Sequence, residues 1–345
     1  MRRAFAVCLL CFSLSAEAQY VGAASLEQTG DLSQSFSDLW KRLFGPKPTP
    51  VPLPTNVPAR PAADDTLGRL VSWNVQVLGK NASAAKKSAL RLGLGRALRG
   101  SAPTLLAVQE ISNDAGARAL ARQLPGEGKN WTTSFTDSSD SQNNALYFGP
   151  GIRVDCSRSL DLPGVLHPPR MAHVTVQNAD FTVLSIHLTY AKGKAAASAA
   201  ELKIILAWLR AEMAKPNADP DFIIAGDFNL PTRKGKTLSM RSGETSWAPL
   251  EDSIGPGVTA LIDDPTSRHG RENIANNYDH FIVTDDFMKE ELVEAAAISP
   301  ADIALAEREA GTRASDHFPI AMTFRKSGAG RDGRPVAIDG PSTCR

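Results

Sequence analysis

An excess of charge of one sign is missing from this chain: 38 lysines and arginines face 37 aspartates and glutamates across 345 residues. That balance excludes strong adhesion to nucleic acid through net charge, so any attraction for a polyanion must come from a local patch. No internal repeat is visible, which sets aside the stacked-repeat architectures. Apolar runs are short. The one at residues 4–14 cannot cross a bilayer as a helix, which takes about 20 apolar residues. Cysteine is scarce, at four. What remains is 42% hydrophobic and 22% charged residues, the make-up of an ordinary globular protein with room for one large domain or two modest ones.

The N-terminus departs from that pattern. Arg2 and Arg3 precede the apolar run, and Ala16 and Ala18 place small residues at the two positions a signal peptidase reads. We therefore expect residues 1–18 to be a signal peptide and the mature protein to be secreted or periplasmic, with no transmembrane segment. A lipid-modified Cys11 fits less well, because Cys8-Leu9-Leu10-Cys11 is a poor lipobox. Cleavage leaves Cys156 and Cys344, an even pair where oxidation is permitted. A disulfide and two separate thiols both satisfy the sequence. The same cut removes two basic residues and one acidic residue, so the mature chain stays near neutrality.

Residues 19–44 hold a short amphipathic segment, with Leu32, Phe36, Leu39, Trp40 and Leu43 at helical spacing. It would dock on the domain or on a partner. Residues 45–65 carry seven prolines, from Pro46 to Pro61, and read as a semi-rigid extended linker. From 66 to 326 the pattern becomes short apolar runs alternating with amphipathic stretches. Strands are predicted at 70–74, 104–109, 131–135, 145–148, 172–177, 182–187, 222–225, 280–284 and 319–324. Helices are predicted at 84–99, 114–123 and 195–215. Many strands with few helices imply α/β (α+β) sheets covered by helices, in one domain. Residues 327–345, glycine-rich and polar, read as a flexible tail.

Several strands end in a polar side chain, which is costly unless a cation or donor offsets it. The segment Ile223-Ile224-Ala225-Gly226-Asp227-Phe228-Asn229 is the sharpest local signal. Gly226 permits a tight turn, and Asp227 and Asn229, two apart, face one side. The carboxylate can orient or deprotonate water, and the amide can hold that water or a phosphate oxygen. An Asx-type turn closing a strand is the bland alternative. Glu110, ending the run Leu105-Leu106-Ala107-Val108-Gln109, is a natural hard oxygen ligand for Mg²⁺ (or Mn²⁺), with Asn74 and Asp316 as helpers. In Ser315-Asp316-His317 the neighbouring residues point oppositely, Asp316 to a metal and His317 to a phosphate. Asp279 would hold the second ring nitrogen of His317. His187, closing Leu184-Ser185-Ile186, would stabilise the phosphate from the other side or protonate the leaving oxygen. His280 reads as structural.

This ordered set, spanning roughly residues 70–324, resembles the endonuclease/exonuclease/phosphatase superfamily, also called deoxyribonuclease I-like. The resemblance implies a four-layered sandwich of two packed mixed β-sheets flanked by helices, with a divalent-metal phosphoesterase site at the sheet edges. Carried over motif by motif, Asn74, Glu110 and Asp316 would be on the metal side, and Asp227 and Asn229 would position the attacking water. His187 and the pair Asp279 with His317 would handle phosphate charge and proton transfer. Which histidine is the general acid stays open, and no acidic partner for His187 is identifiable.

Superfamily membership does not fix the substrate. Arg233, Lys234, Lys236 and Arg241 follow Asn229, and Lys192 and Lys194 follow His187. Flanking the site, they would form a patch for successive phosphates; otherwise they are solubilising loops. Arg170 resembles an arginine that some family members keep near the site. The leading expectation is an exported monomeric endonuclease hydrolysing DNA with Mg²⁺. Alternatives are a phospholipid or inositol-phosphate headgroup esterase, for which no clear aromatic hairpin is seen, and a catalytically silent binding domain.

Overall fold

The apolar runs assemble into two six-stranded sheets. In this computed structural model, the residues described are 66–100, 102–138, 142–177, 179–190, 195–216, 218–235, 248–269 and 273–325. The expected signal peptide, amphipathic segment, linker and tail lie outside them, as do Lys192, Lys194, Lys236, Arg241 and Trp247. Sheet one runs in the order β13 (Leu292–Ala297), β14 (Ile320–Arg325), β1 (Thr66–Leu78), β2 (Thr104–Ile111), β4 (Asn143–Phe148), β3 (Thr132–Phe135). Sheet two runs β5 (Arg153–Ser159), β6 (Arg170–Val176), β7 (Ala179–His187), β8 (Phe222–Asp227), β12 (Asp279–Thr284), β9 (Val258–Ala260). A two-residue ribbon, β10 (Arg268–His269) with β11 (Asn273–Ile274), stands apart.

Each sheet has one parallel pair at its centre, β1 with β2 and β7 with β8, and antiparallel pairs elsewhere. A parallel pair needs a crossover, supplied by α1 (Ala84–Ala97) in one sheet and α3 (Ala195–Met213) in the other. The C-terminal ends of four central strands therefore fall on two sheet edges, which is where the polar motifs lie. Among the described residues α2 (Asp114–Ala121), α4 (Glu251–Ile254), α5 (Asp285–Glu290) and α6 (Pro300–Ala310) complete the helices. None of the described helices is long and apolar enough to cross a membrane.

Both faces of each sheet are covered, so the central strands read as continuous apolar runs. Between the sheets pack Leu70, Leu105, Phe148, Phe181, Val183, Ile223, Phe281 and Phe324. On the outer face of sheet one, Val71, Trp73, Leu106 and Val108 meet Leu90 and Leu94 of α1, Leu120 of α2 and Ile303 of α6. Outside sheet two, Leu184, Ile186 and Ile224 meet Leu202, Ile205, Leu206 and Leu209 of α3. The four layers are thus helix, sheet, sheet, helix, as the resemblance implied.

The sequence did not predict β5, β9, β13, α4, α5 or α6. β5 and β13 are edge strands whose residues are mostly half-buried, so neither shows a clean apolar face. Gly226 needs a correction. It lies within β8, not in a turn, at φ +151, and a Cβ there would sit 2.0 Å from the Ile186 carbonyl oxygen. Glycine is required for close strand approach. Cys156 is disulfide-bonded, and the other three cysteines lie outside the described residues.

Candidate active site

Register places three of the expected residues side by side on sheet two. His187 of β7 pairs with Asp227 of β8, and Asp227 pairs with Asp279 of β12. Sheet one brings Asn74 of β1 opposite Gln109 of β2, one residue before Glu110. The sheets are joined just beneath: Gln109 Nε2 donates to Ser72 Oγ at 3.3 Å and to Ser185 Oγ at 3.0 Å, and Ser185 Oγ donates to the Val108 carbonyl at 3.2 Å. All three side chains are fully buried, so this polar stack fixes the spacing of the two edges.

Above it the motifs converge. Asn74 Nδ2 donates to Glu110 Oε1 at 2.9 Å and to Asp227 Oδ2 at 3.0 Å, bridging the two sheets. Its Oδ1 accepts the Gln76 N–H at 2.9 Å. Asn74 therefore stands between two carboxylates, with both sides of its amide engaged. Glu110 Oε2 accepts the Val77 N–H at 2.9 Å. Asp227 Oδ1 accepts the Asn229 N–H at 2.9 Å, while Asn229 Nδ2 donates to the Leu188 carbonyl at 2.8 Å. His187 Nε2 lies 3.7 Å from Asp227 Oδ2 and 3.9 Å from Glu110 Oε1, and His317 Nε2 lies 3.6 Å from the same Asp227 oxygen. Two imidazoles thus face one carboxylate.

The local backbone is strained to make this meeting. Between Asn74 and Leu78 the register of β1 against β2 slips, and Gln76 and Val77 take φ of +51 and +50. Glu110 at +62 and Asn229 at +50 do the same. Of the six non-glycine residues with positive φ among those described, four are in this site, each at about 1–3 kcal/mol. The bulge turns two N–H groups toward Asn74 and Glu110.

Electrostatics separate the two histidines. His317 Nδ1 meets Asp279 Oδ2 at 2.7 Å. Burial opposes its charge, but Asp279, Asp227 and Asp316 together outweigh that, and its pKa is raised above 6.5. Asp279 is itself held up by burial, against the pull of His317, and its main-chain N–H donates to Thr266 Oγ1 at 2.9 Å. His187 moves the other way: burial lowers its pKa, although Asp227 and Glu110 pull upward. Its Nδ1 has no hydrogen-bond partner. The pair is therefore one imidazolium and one neutral ring. His280 is fully buried, with Nε2 2.9 Å from the Leu230 carbonyl, and burial lowers its pKa to about 4.

Sequence reasoning missed three contributors. Lys86, in the first turn of α1, donates from Nζ to the Gln76 carbonyl. Burial lowers its pKa, and Asp316 and Glu110 raise it. His167 stacks on His187 with ring centroids 5.1 Å apart and planes 11° apart. Glu201 of α3 clamps the segments leading to both: Oε1 accepts the Leu166 N–H at 3.0 Å, and Oε2 accepts the Thr189 N–H at 2.7 Å. None follows a strand-end pattern, so nothing in the sequence marked them.

The expected phosphate-binding cations are otherwise engaged. Arg170 begins β6 opposite Ser185, but it donates to Ser134 Oγ at 2.6 Å, Thr136 Oγ1 at 2.5 Å and Ser159 Oγ at 3.2 Å. Arg233 pairs with Asp252, and Lys234 Nζ pairs with Asp263 Oδ2 at 2.7 Å. Arg233 and Lys234, expected to meet phosphate, thus stand in two exposed ion pairs, one with an acid of α4 and one with an acid of the loop after β9.

The family model described as Endonuclease/Exonuclease/phosphatase family matches residues 71–317. The chain belongs to that family. Its members hydrolyse phosphate esters, and this chain is a phosphoesterase of that superfamily. A deoxyribonuclease of Thioalkalivibrio sp. is 26% identical over 279 residues, covering 74% of this chain and 70% of the relative. Among solved structures, D. rerio TDP2 complexed with single-strand DNA product is 15% identical with TM-score 0.51, covering 75% of this chain and 98% of that one. ANGEL2, described as a 2',3'-cyclic phosphatase, is 12% identical with TM-score 0.53, covering 75% and 95%. At those identities the two structures support the fold alone.

Endonuclease/exonuclease/phosphatase enzymes are typically divalent-metal dependent, and the donor set here fits a hard dication. Asp316 Oδ1 is buried with no hydrogen-bond partner, and Glu110 brings a second carboxylate that acts, with Asp316, on the same Lys86 ammonium. A buried carboxylate oxygen without a partner is costly unless a cation or donor offsets it.

Proposed function

We propose that the protein is an exported, Mg²⁺- or Mn²⁺-dependent endonuclease that hydrolyses DNA by in-line attack of an activated water. The observation that carries this reading is the single network joining Glu110, Asn74 and Asp227 within 3.0 Å contacts, with both histidines facing Asp227. The deoxyribonuclease relative supports DNA as the substrate. Glu110 and Asp316 would hold the dication, which would offset charge developing on the phosphate oxygens.

The chain's own residues supply the rest. Asp227 Oδ2 accepts a proton from water, and the Asn74 and Asn229 N–H groups fix the carboxylate so that it cannot rotate away. The His317 imidazolium, oriented by Asp279, offers positive charge to the phosphate and a proton to the leaving oxygen. His187, neutral and braced by the His167 ring, hydrogen-bonds a nonbridging oxygen. No covalent enzyme intermediate is required.

A headgroup esterase is the second reading, favoured by exposed apolar side chains next to site residues: Val77 at 51%, Leu166 at 61% and Tyr190 at 38%. Purified mature protein offered supercoiled plasmid, RNA, sphingomyelin and inositol phosphates, with Mg²⁺ or with chelator, separates the two. Metal-dependent nicking is expected. Lipid turnover without nicking would replace the nuclease reading with the second one.

A further inference from the structure

A second histidine and carboxylate cluster lies at the other end of sheet two. His173 of β6 pairs across from Thr182 of β7, Asp180 is the second residue of β7, and Asp219 lies just before β8. All three are buried, at 3%, 4% and 9% exposure. Seven residues of strand separate Asp180 from His187, or about 23 Å at roughly 3.3 Å per residue, so this is not an extension of the catalytic network.

The contacts within the cluster have an uncommon length. His173 Nε2 is 3.7 Å from Asp180 Oδ2 and His173 Nδ1 is 3.6 Å from Asp219 Oδ2. Both are too long for hydrogen bonds. Nδ1 does have a partner, Thr182 Oγ1 at 3.2 Å, and Nε2 has none. An imidazole buried to 3% with one nitrogen unsatisfied is costly unless something occupies that side. With Nδ1 beside Thr182 Oγ1, Nε2 is the ring nitrogen left without a hydrogen-bond partner, and it faces Asp180.

We propose that His173, Asp180 and Asp219 form a second metal site, for a transition-metal dication such as Zn²⁺, independent of the catalytic centre. One atom from each residue lies within 4.8 Å of the others. Two ligands on a tetrahedral zinc, at about 2.0–2.2 Å from the ion, stand about 3.4 Å apart. The observed 3.7 Å from Nε2 to Asp180 is close to that, and the three ligand atoms, all within 4.8 Å of one another, would draw together around an ion. An imidazole with two carboxylates is a nitrogen and oxygen set suited to zinc over magnesium. Such an ion would pin β6, β7 and the segment entering β8 together.

The test uses the mature protein stripped with chelator, then saturated with Mg²⁺ to fill the catalytic side, and titrated calorimetrically with Zn²⁺. One Zn²⁺ per chain is expected, with a raised Tm. Glu110→Gln should keep that binding and His173→Gln should weaken it at least tenfold while far-UV circular dichroism stays native. If His173→Gln fails to fold, Asp219→Asn takes its place. Co²⁺ added to wild type should give the visible absorption of a tetrahedral site. Zinc binding lost in Glu110→Gln but kept in His173→Gln, or no zinc bound at all, overturns the proposal. Because nicking is not the readout, the result does not depend on the nuclease reading.

Discussion

Two histidine and carboxylate clusters occupy opposite ends of β7, and the difference between them is one of spacing. At the catalytic end His317 and Asp279 are in hydrogen-bond contact at 2.7 Å, and the acids hold a proton on the ring. At the far end His173 keeps 3.6 and 3.7 Å from its two acids, and burial holds its pKa below the ordinary 6.5. Similar residue types at the two ends thus sit in different geometries. On the readings proposed above, the tight pair would hold a proton for chemistry and the loose set would leave room for an ion.

The sharpest way to break this comparison is at the catalytic end. Asp227→Ala should lower the nicking rate by about 10³-fold or more with the fold retained, since it removes the acceptor faced by both imidazoles. Single-turnover rates with far-UV circular dichroism check it. Asp279→Asn should cost less, roughly 10–10²-fold, because it acts through His317; its pH–rate profile should shift to lower pH as the imidazolium is destabilised.

His280 gives a pH test that involves neither cluster's chemistry. Its folded pKa, about 4, lies below the ordinary 6.5, so the unfolded chain binds a proton there that the folded chain refuses. Stability should therefore fall as pH drops from 6.5 toward 4, by on the order of 2–3 kcal/mol from this group. Urea midpoints for His280→Gln should show a shallower loss than wild type over that window. At the far end, His173→Gln under saturating Mg²⁺ should change nicking less than about twofold. The smallest effect is expected for Arg233→Ala and Lys234→Ala, within about threefold in KM, because each cation is already paired on the surface.

The contrast also explains what the sequence could tell. At the catalytic end each residue closes or follows an apolar run, so Glu110, His187 and Asp227 were legible one by one, and their meeting followed from strand register. Asn74 was legible as a site residue but not as a bridge, because its two partners come from different sheets. Lys86 and His167 reach the site from a helix and a loop. The far cluster was invisible for a related reason: His173 and Asp180 sit among ordinary strand residues, and only the β6 and β7 pairing with the entry to β8 brings them to Asp219. Of the fold, central strands with two buried faces were found, whereas edge strands such as β5 and β13 were not.

The claim on which the account rests is that Glu110 and Asp227, from different sheets, serve one metal-assisted centre. A Mg²⁺ titration of plasmid nicking by wild type and Glu110→Gln tests it directly. The account predicts that wild-type activity rises to a plateau with Mg²⁺ and vanishes with chelator, and that Glu110→Gln needs at least tenfold more Mg²⁺ or stays inactive. Identical Mg²⁺ dependence in the two proteins would contradict it.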